Sequence, residues 1–173
     1  MKNVVVMKKY KQTSKIKSLA TEPSTFYGLE NKYDRIISVL GGSVAINQTI
    51  NNDIDLIEIT RKGLPKSVLQ TLSGVLSISM EQMSHLLHIS HRTLQRKSDT
   101  DLLNVYSTEQ ILEIAEVISR GIEVLGSIDV FTSWLHSDVR HLNYKKPIHY
   151  LDTSFGTTLV KDTLGRIEYG VYS

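Results

Sequence analysis

The longest apolar stripe of the chain runs from residue 107 to residue 125 and repeats at helical spacing. Its members recur every three or four residues, as on one face of an amphipathic helix: Ile111, Ile114, Ala115, Ile118, Ile122 and Leu125. Ser107 with Gln110 three residues later predicts a capping box at the start, and Gly126 predicts the end. This is the strongest helix prediction in the chain. Three acids on the opposite side predict a solvated flank: Glu109, Glu113 and Glu116.

The segment before this helix is also helical in pattern. Leu64-Pro65 predicts a helix with proline in its first turn, followed by apolar residues at helical spacing: Val68, Leu69, Leu72, Val75 and Leu76. Ser79 and Gln82 predict a capping box for a second, short helix. Its inner face is predicted to carry Met83, Leu86 and Leu87.

Helical signals continue at both ends. One amphipathic helix is predicted before Gly41-Gly42, with apolar residues Tyr33, Ile36, Ile37 and Leu40. Ser127 predicts the cap of a helix whose core stripe is Phe131, Trp134 and Leu135. Thr153 or Ser154 predicts the start of a last helix, which ends at Gly170. Its inner face is predicted to carry Phe155, Leu159, Val160, Leu164 and Ile167. The sequence therefore predicts an all-α fold.

Composition limits the classes of protein to which the chain can belong. Its 173 residues are 40% hydrophobic and 22% charged, which is typical of one globular unit or two small ones. No run approaches the ~20 apolar residues of a membrane span, and the start does not resemble a signal peptide. We therefore expect a cytoplasmic protein without a membrane partner. The absence of cysteine excludes disulfides, thiolate zinc sites and a cysteine nucleophile.

The charge is distributed unevenly. Residues 1–17 hold six lysines and no acid, while the rest of the chain has a net charge of −4. A lysine-rich arm can bind phosphate, but a frayed and solvated terminus is the more ordinary interpretation. A polar stretch ends at Asp53, so we predict a basic, partly flexible segment with one helix over residues 1–52.

The stretch after the second capping box predicts a helix-turn-helix. Ser90 can cap a new short helix that Leu94 anchors, and only three or four residues separate it from the preceding helix. His88 stands in the turn, where glycine with a positive φ is common, and therefore carries a strain cost. In such a motif the second helix meets base edges, so the candidate DNA-binding residues are His91, Arg92, Thr93, Gln95, Arg96 and Lys97. Arginine and glutamine suit bases and lysine suits phosphate, although a solvated structural face is the alternative.

The histidines do not predict a catalytic or metal site. His85, His88 and His91 are spaced by three residues, but the helix break at Ile89-Ser90 prevents one face from presenting all three. His136, His141 and His149 have no matching carboxylate cluster, and no nucleophile with a base can be identified from spacing. We therefore predict that the protein is not an enzyme and needs no metal or cofactor.

The last third of the chain resembles the Xre/MbcA/ParS-type antitoxin family. The resemblance is carried by a spaced pattern: Arg120-Gly121, Val124, Gly126-Ser127, Phe131, Trp134-Leu135, Leu142, Pro147, Leu151-Asp152-Thr153, Gly156, Val160, Leu164, Ile167-Glu168 and Gly170. Upstream, "LHISHRTLQRK" resembles the Xre-like helix-turn-helix that precedes this domain in the family. Together they cover about residues 55–173. At Ser137-Asp138 and in "NYKKP" the chain departs from the family pattern.

This resemblance implies an antitoxin that neutralises a RES-domain toxin, a protein that acts on NAD, and that represses its own operon. It implies a helix-turn-helix domain over residues 53–104 and a toxin-binding domain over residues 105–173. Operator DNA and the cognate toxin are the expected partners, and the chain is expected to form a homodimer. The alternative is a stand-alone DNA-binding regulator that uses its C-terminal region for dimerisation.

The resemblance directs attention to the end of the chain as the toxin-binding surface. Exposed tyrosines give a large contact area at a low entropic cost, and a terminal carboxylate suits the basic groups of a site for an anionic dinucleotide. A frayed tail is the ordinary alternative. We predict that the tail blocks the toxin's NAD pocket while the helix over residues 154–170 anchors it, with the toxin-binding residues Arg166, Tyr169, Val171, Tyr172 and Ser173.

Overall fold

A computed structural model describes residues 31–171, and every regular secondary-structure element in that range is a helix. Two isolated bridges join Pro65 to Leu102 and Val139 to Lys145. No helix in the described range is long and apolar enough to cross a lipid bilayer. The prediction of an all-α fold is confirmed, and the α-helices are α1 (Lys32–Val39), α2 (Ser43–Ile46), α3 (Asp53–Lys62), α4 (Val68–Leu76), α5 (Met80–Leu86), α6 (His91–Arg96), α7 (Val105–Leu125), α8 (Ile128–Leu135) and α9 (Ser154–Glu168).

Helix α7 is the centre of the fold, since α1, α3, α8 and α9 all pack against it. Most of its predicted stripe is fully buried. The predicted cap at Ser107 is wrong, because the side chain of Asn104 accepts the hydrogen bond from the Ser107 N–H and α7 begins at Val105. Gln110 instead donates to the carbonyl oxygen of Leu151 over 2.6 Å. The end of α7 at Gly126, where φ is 86°, is as predicted.

Two of the three acids predicted on a solvated flank of α7 lie between helices rather than in solvent. Thr157 donates to Glu113 over 3.0 Å, and Glu116 pairs with Lys161 at 3.3 Å and with Lys32 at 3.6 Å. The prediction of a solvated flank is therefore wrong for Glu113 and Glu116, and only Glu109 is exposed. The reason is that α1 and α9 pack beside α7 and cover these positions.

Helices α4, α5 and α6 form a small stack whose apolar faces are buried, as predicted. Helix α4 begins at Val68, three residues later than the Pro65 signal predicts. The N–H of Leu103 donates to the carbonyl oxygen of Leu64 over 2.8 Å, and this pairing keeps the chain before α4 extended. Pro65 therefore lies in a bridge and a turn instead of the first helical turn.

Helix α9 has the predicted ends but not the whole predicted inner face. Thr153 caps it by accepting from the Gly156 N–H, and Val160 and Leu164 are fully buried. Phe155 is 89% exposed, so its predicted inward position is wrong. The close approach of Gly156 to the preceding loop sets the rotation of the helix: a Cβ at this position would lie 1.8 Å from the carbonyl oxygen of Tyr150.

Two glycines of α9 provide a matched test of this packing. Replacing Gly156→Ala should destabilise the chain by about 1–3 kcal/mol, because backbone must move to make room. Replacing Gly165→Ala in the same helix meets nothing within 4 Å and should stabilise by up to about 1 kcal/mol through helix propensity. Urea denaturation measures both. Equal midpoints for the two variants would show that Gly156 is not in close contact.

Candidate functional site

Helices α5 and α6 form a helix-turn-helix with the predicted caps. Ser79 accepts from the Gln82 N–H over 3.2 Å, and the Gln82 side chain accepts from the Ser79 N–H over 2.9 Å. Ser90 caps α6 by accepting from the Thr93 N–H over 3.1 Å. Leu94 is 1% exposed and anchors α6 to the core. The predicted motif is therefore present, and Leu94 fixes which face of α6 points outward.

The turn of this motif places His88 in the left-handed region, with φ at 52°, as the sequence predicts. The Ile89 N–H donates to Ser84 O over 3.0 Å and the His88 N–H donates to His85 O over 3.1 Å. This is the Schellman arrangement, in which glycine is usual. His88 also has a long-range contact, because its Nε2 lies 2.8 Å from the carbonyl oxygen of Asp152, just before α9. The turn is thereby tied to the C-terminal helices.

The outer face of α6 presents four exposed candidate side chains, Arg92, Thr93, Gln95 and Arg96, and a half-buried one, His91. Neither arginine forms an ion pair within residues 31–171. The Gln95 amide nitrogen lies 2.8 Å from His91 Nε2, and the Thr93 and Ser90 hydroxyls are 2.7 Å apart. The arginines are thus the side chains of this face that remain available for a ligand.

Lys97 follows the last residue of α6 and is partly engaged by the next loop. Its Nζ donates to the carbonyl oxygen of Leu102 over 3.1 Å, while its own carbonyl accepts from Lys66 Nζ over 2.6 Å. Hydrogen bonds from the side chain and backbone of Ser98 hold the pKa of the Asp101 carboxyl below its usual range. The loop therefore keeps a negative charge beside the end of α6, and the charge of Lys97 lies near it.

The end of α9 presents the predicted C-terminal residues. Gly170 has φ at 68°, and the Val171 N–H donates to the carbonyl oxygen of Arg166 over 2.9 Å. This Schellman arrangement ends the helix. Arg166 is exposed, Tyr169 is 80% exposed and Val171 is 52% exposed. The remaining two candidates, Tyr172 and Ser173, lie outside the described residues.

A groove that sequence reasoning missed lies between α8, the loop after it and the end of α9. Its volume is about 500 Å³, and it is lined by Leu125, Trp134, Ser137, Asp138, Val139, Arg140, His141, Thr163, Arg166, Ile167 and Val171. Trp134, Leu125 and Ile167 are predicted as core residues, yet all three are only partly buried. These three residues lie on the apolar faces of α8, α7 and α9 that meet at the groove. That apolar pattern is the sign of the groove that the sequence contained.

The histidines show no arrangement for a metal. No group of three or more histidine and acidic residues in the described part of the chain could hold a metal ion. His88 Nε2 lies 2.8 Å from the carbonyl oxygen of Asp152, and His136 Nε2 lies 2.8 Å from the carbonyl oxygen of Leu76. These two rings therefore serve contacts within the fold.

Two adjacent parts of the chain match known domain families. Residues 55–116 match the family described as the antitoxin Xre-like helix-turn-helix domain. Residues 120–170 match the family described as the antitoxin Xre/MbcA/ParS C-terminal toxin-binding domain. The first match contains α5 and α6, and the second contains α8, α9 and most of the groove. Neither family is one of enzymes.

Two curated relatives, both named Antitoxin Xre, are similar to this chain. The protein from Photorhabdus laumondii is 24% identical over 117 residues, which cover 66% of this chain and 79% of the relative. The protein from Yersinia enterocolitica is 23% identical over 120 residues, which cover 68% of this chain and 81% of the relative. The similarity thus extends over most of each relative.

Proposed function

The chain has an Xre-like helix-turn-helix domain followed by an Xre/MbcA/ParS-type toxin-binding domain, and from this premise we propose that it is an antitoxin. It binds and neutralises a cognate RES-domain toxin that acts on NAD, and it represses its own operon. The order of the two matches, over residues 55–116 and 120–170, is the observation that carries this proposal. A cytoplasmic location stays a prediction.

The DNA-binding part of the proposal rests on the outer face of α6. Arg92 and Arg96 are exposed without an ion pair in residues 31–171, and arginine is well suited to bidentate contacts with guanine. A helix of six residues reads only a few base pairs. The chain therefore binds as a homodimer to two half-sites about 34 Å apart, one turn of DNA.

The neutralising part rests on the C-terminal end of α9. Tyr169 and Val171 are exposed at the point where the helix stops, and Arg166 lies one turn before. The tail from Val171 to Ser173 occupies the mouth of the toxin's NAD pocket and blocks it sterically. The outer face of α9 provides the docking contacts that hold the tail there.

Co-expression with the product of the neighbouring gene, which the proposal requires to be a RES-domain toxin, tests the proposal. We expect the two proteins to co-purify, and cells that stop growing with the partner alone to recover when this chain is added. A chain that binds its operator but neither co-purifies with the partner nor restores growth would instead be a stand-alone regulator with a C-terminal dimerisation domain.

A further inference from the structure

The groove between α8 and α9 combines apolar walls with basic side chains that form no ion pair within residues 31–171. Trp134, Leu125 and Ile167 form its apolar side, and Arg140, His141 and Arg166 stand on it as exposed side chains. Asp138 is the only acid among its lining residues in the described chain. A groove of about 500 Å³ is within the range of sites that enclose a side chain or a small ligand.

The two arginines of this groove differ from two other arginines of the fold that form ion pairs. Arg120 forms ion pairs with Glu123 and Glu168, and Arg35 pairs with Glu123. Arg140 and Arg166 have no ion pair within residues 31–171. Arginine binds carboxylates through paired, charge-assisted hydrogen bonds. These two guanidinium groups are therefore available for an acidic partner.

From this combination we propose that the groove is the anchor site for one segment of the toxin, which inserts an apolar side chain against Trp134 and places a carboxylate on Arg140 and Arg166. A buried aromatic anchor beside arginine is the usual composition of a binding hot spot. The groove is continuous with Val171, at which the proposed blocking tail begins. This inference rests on the proposed function and adds the chemistry of the docking contact.

Trp134 provides a direct probe, because it is the single tryptophan of the chain. The chain is labelled with 5-fluorotryptophan, which gives one ¹⁹F resonance, and the unlabelled RES-domain partner is added. We expect that resonance to move by more than its linewidth when the complex forms. A complex that co-elutes on a sizing column while the resonance stays in place would contradict docking in the groove and leave the proposed function intact. If no complex forms, the proposed function fails, and the anchor site fails with it.

Two other occupants would also change this resonance, and each has its own control. A shift that depends on the concentration of the chain alone, with none on adding the partner, would assign the groove to a second copy. A shift produced by deleting residues 172–173, with none on adding the partner, would assign it to the chain's own tail. Either result contradicts the proposal.

Neutral substitutions test the arginines without disturbing the fold. The double variant Arg140→Gln and Arg166→Gln keeps a polar side chain at each position and removes both charges, so we expect the dissociation constant for the RES-domain partner to rise ten- to a hundred-fold. The double variant Arg61→Gln and Lys62→Gln is the matched control, since it also removes two charges from exposed positions at the end of α3, and it should change affinity by less than twofold. Equal effects of the groove variant and the control would overturn the carboxylate contact.

Discussion

Replacing both Arg92 and Arg96 by alanine is expected to weaken operator binding by about 1–3 kcal/mol for each bidentate contact that is lost. Each side chain is exposed on α6, and neither is held by an ion pair in residues 31–171. The substitutions should therefore lower the affinity for DNA without destabilising the fold. Toxin neutralisation should be retained, because the proposed toxin contacts lie at the end of α9 and in the groove beside it. A mobility-shift assay at fixed salt measures the change.

The matched control replaces Arg61 and Lys62 by alanine. It also removes two positive charges, from exposed positions of the same domain at the end of α3. If binding depends only on general electrostatic attraction, the two variants should lose the same affinity. If α6 contacts bases, only the variant that lacks Arg92 and Arg96 should lose affinity. Unchanged operator affinity in the first variant would mean that α6 is only a solvated face.

Deleting residues 171–173 is expected to restore NAD consumption by the toxin more than it weakens the complex. The deletion removes the proposed blocking segment, while Arg166 and the rest of α9 remain to dock. NAD consumption and the dissociation constant are measured on the same preparations. Full inhibition by the truncated chain at saturating concentration would rule out steric blocking, and inhibition would then come from docking or from an inactive toxin conformation.

Two further variants separate blocking from damage to the helix end. Deletion of residues 172–173 alone keeps the Val171 N–H that donates to Arg166, and it should already restore part of the activity. Tyr106→Ala removes an aromatic side chain that is 82% exposed at the start of α7, away from the outer face of α9. That variant should inhibit as well as the intact chain.

Local signals predicted the helix starts wherever one strong cap was available. Ser79, Ser90 and Thr153 cap α5, α6 and α9 as expected, because the bond joins residues three apart and needs no distant partner. At α7 two good caps compete within four residues. Asn104 is used and Ser107 is buried, and nothing local distinguishes them.

Contacts between distant segments decided the features that the sequence did not predict. Phe155 is exposed because Gly156, beside it, packs against the Tyr150 carbonyl. The groove is a space between α8, α9 and a loop, so no single segment encodes it. His88 shows both cases, since its positive φ was predictable from the motif, but its contact with Asp152, 64 residues away, was not.

The proposal that this chain is an antitoxin is tested most directly by titrating it into the purified RES-domain partner while NAD consumption is followed. We expect consumption to fall in proportion to the chain added and to reach the background rate once all of the partner is bound. NAD consumption that continues unchanged with the chain in large excess would contradict the antitoxin function.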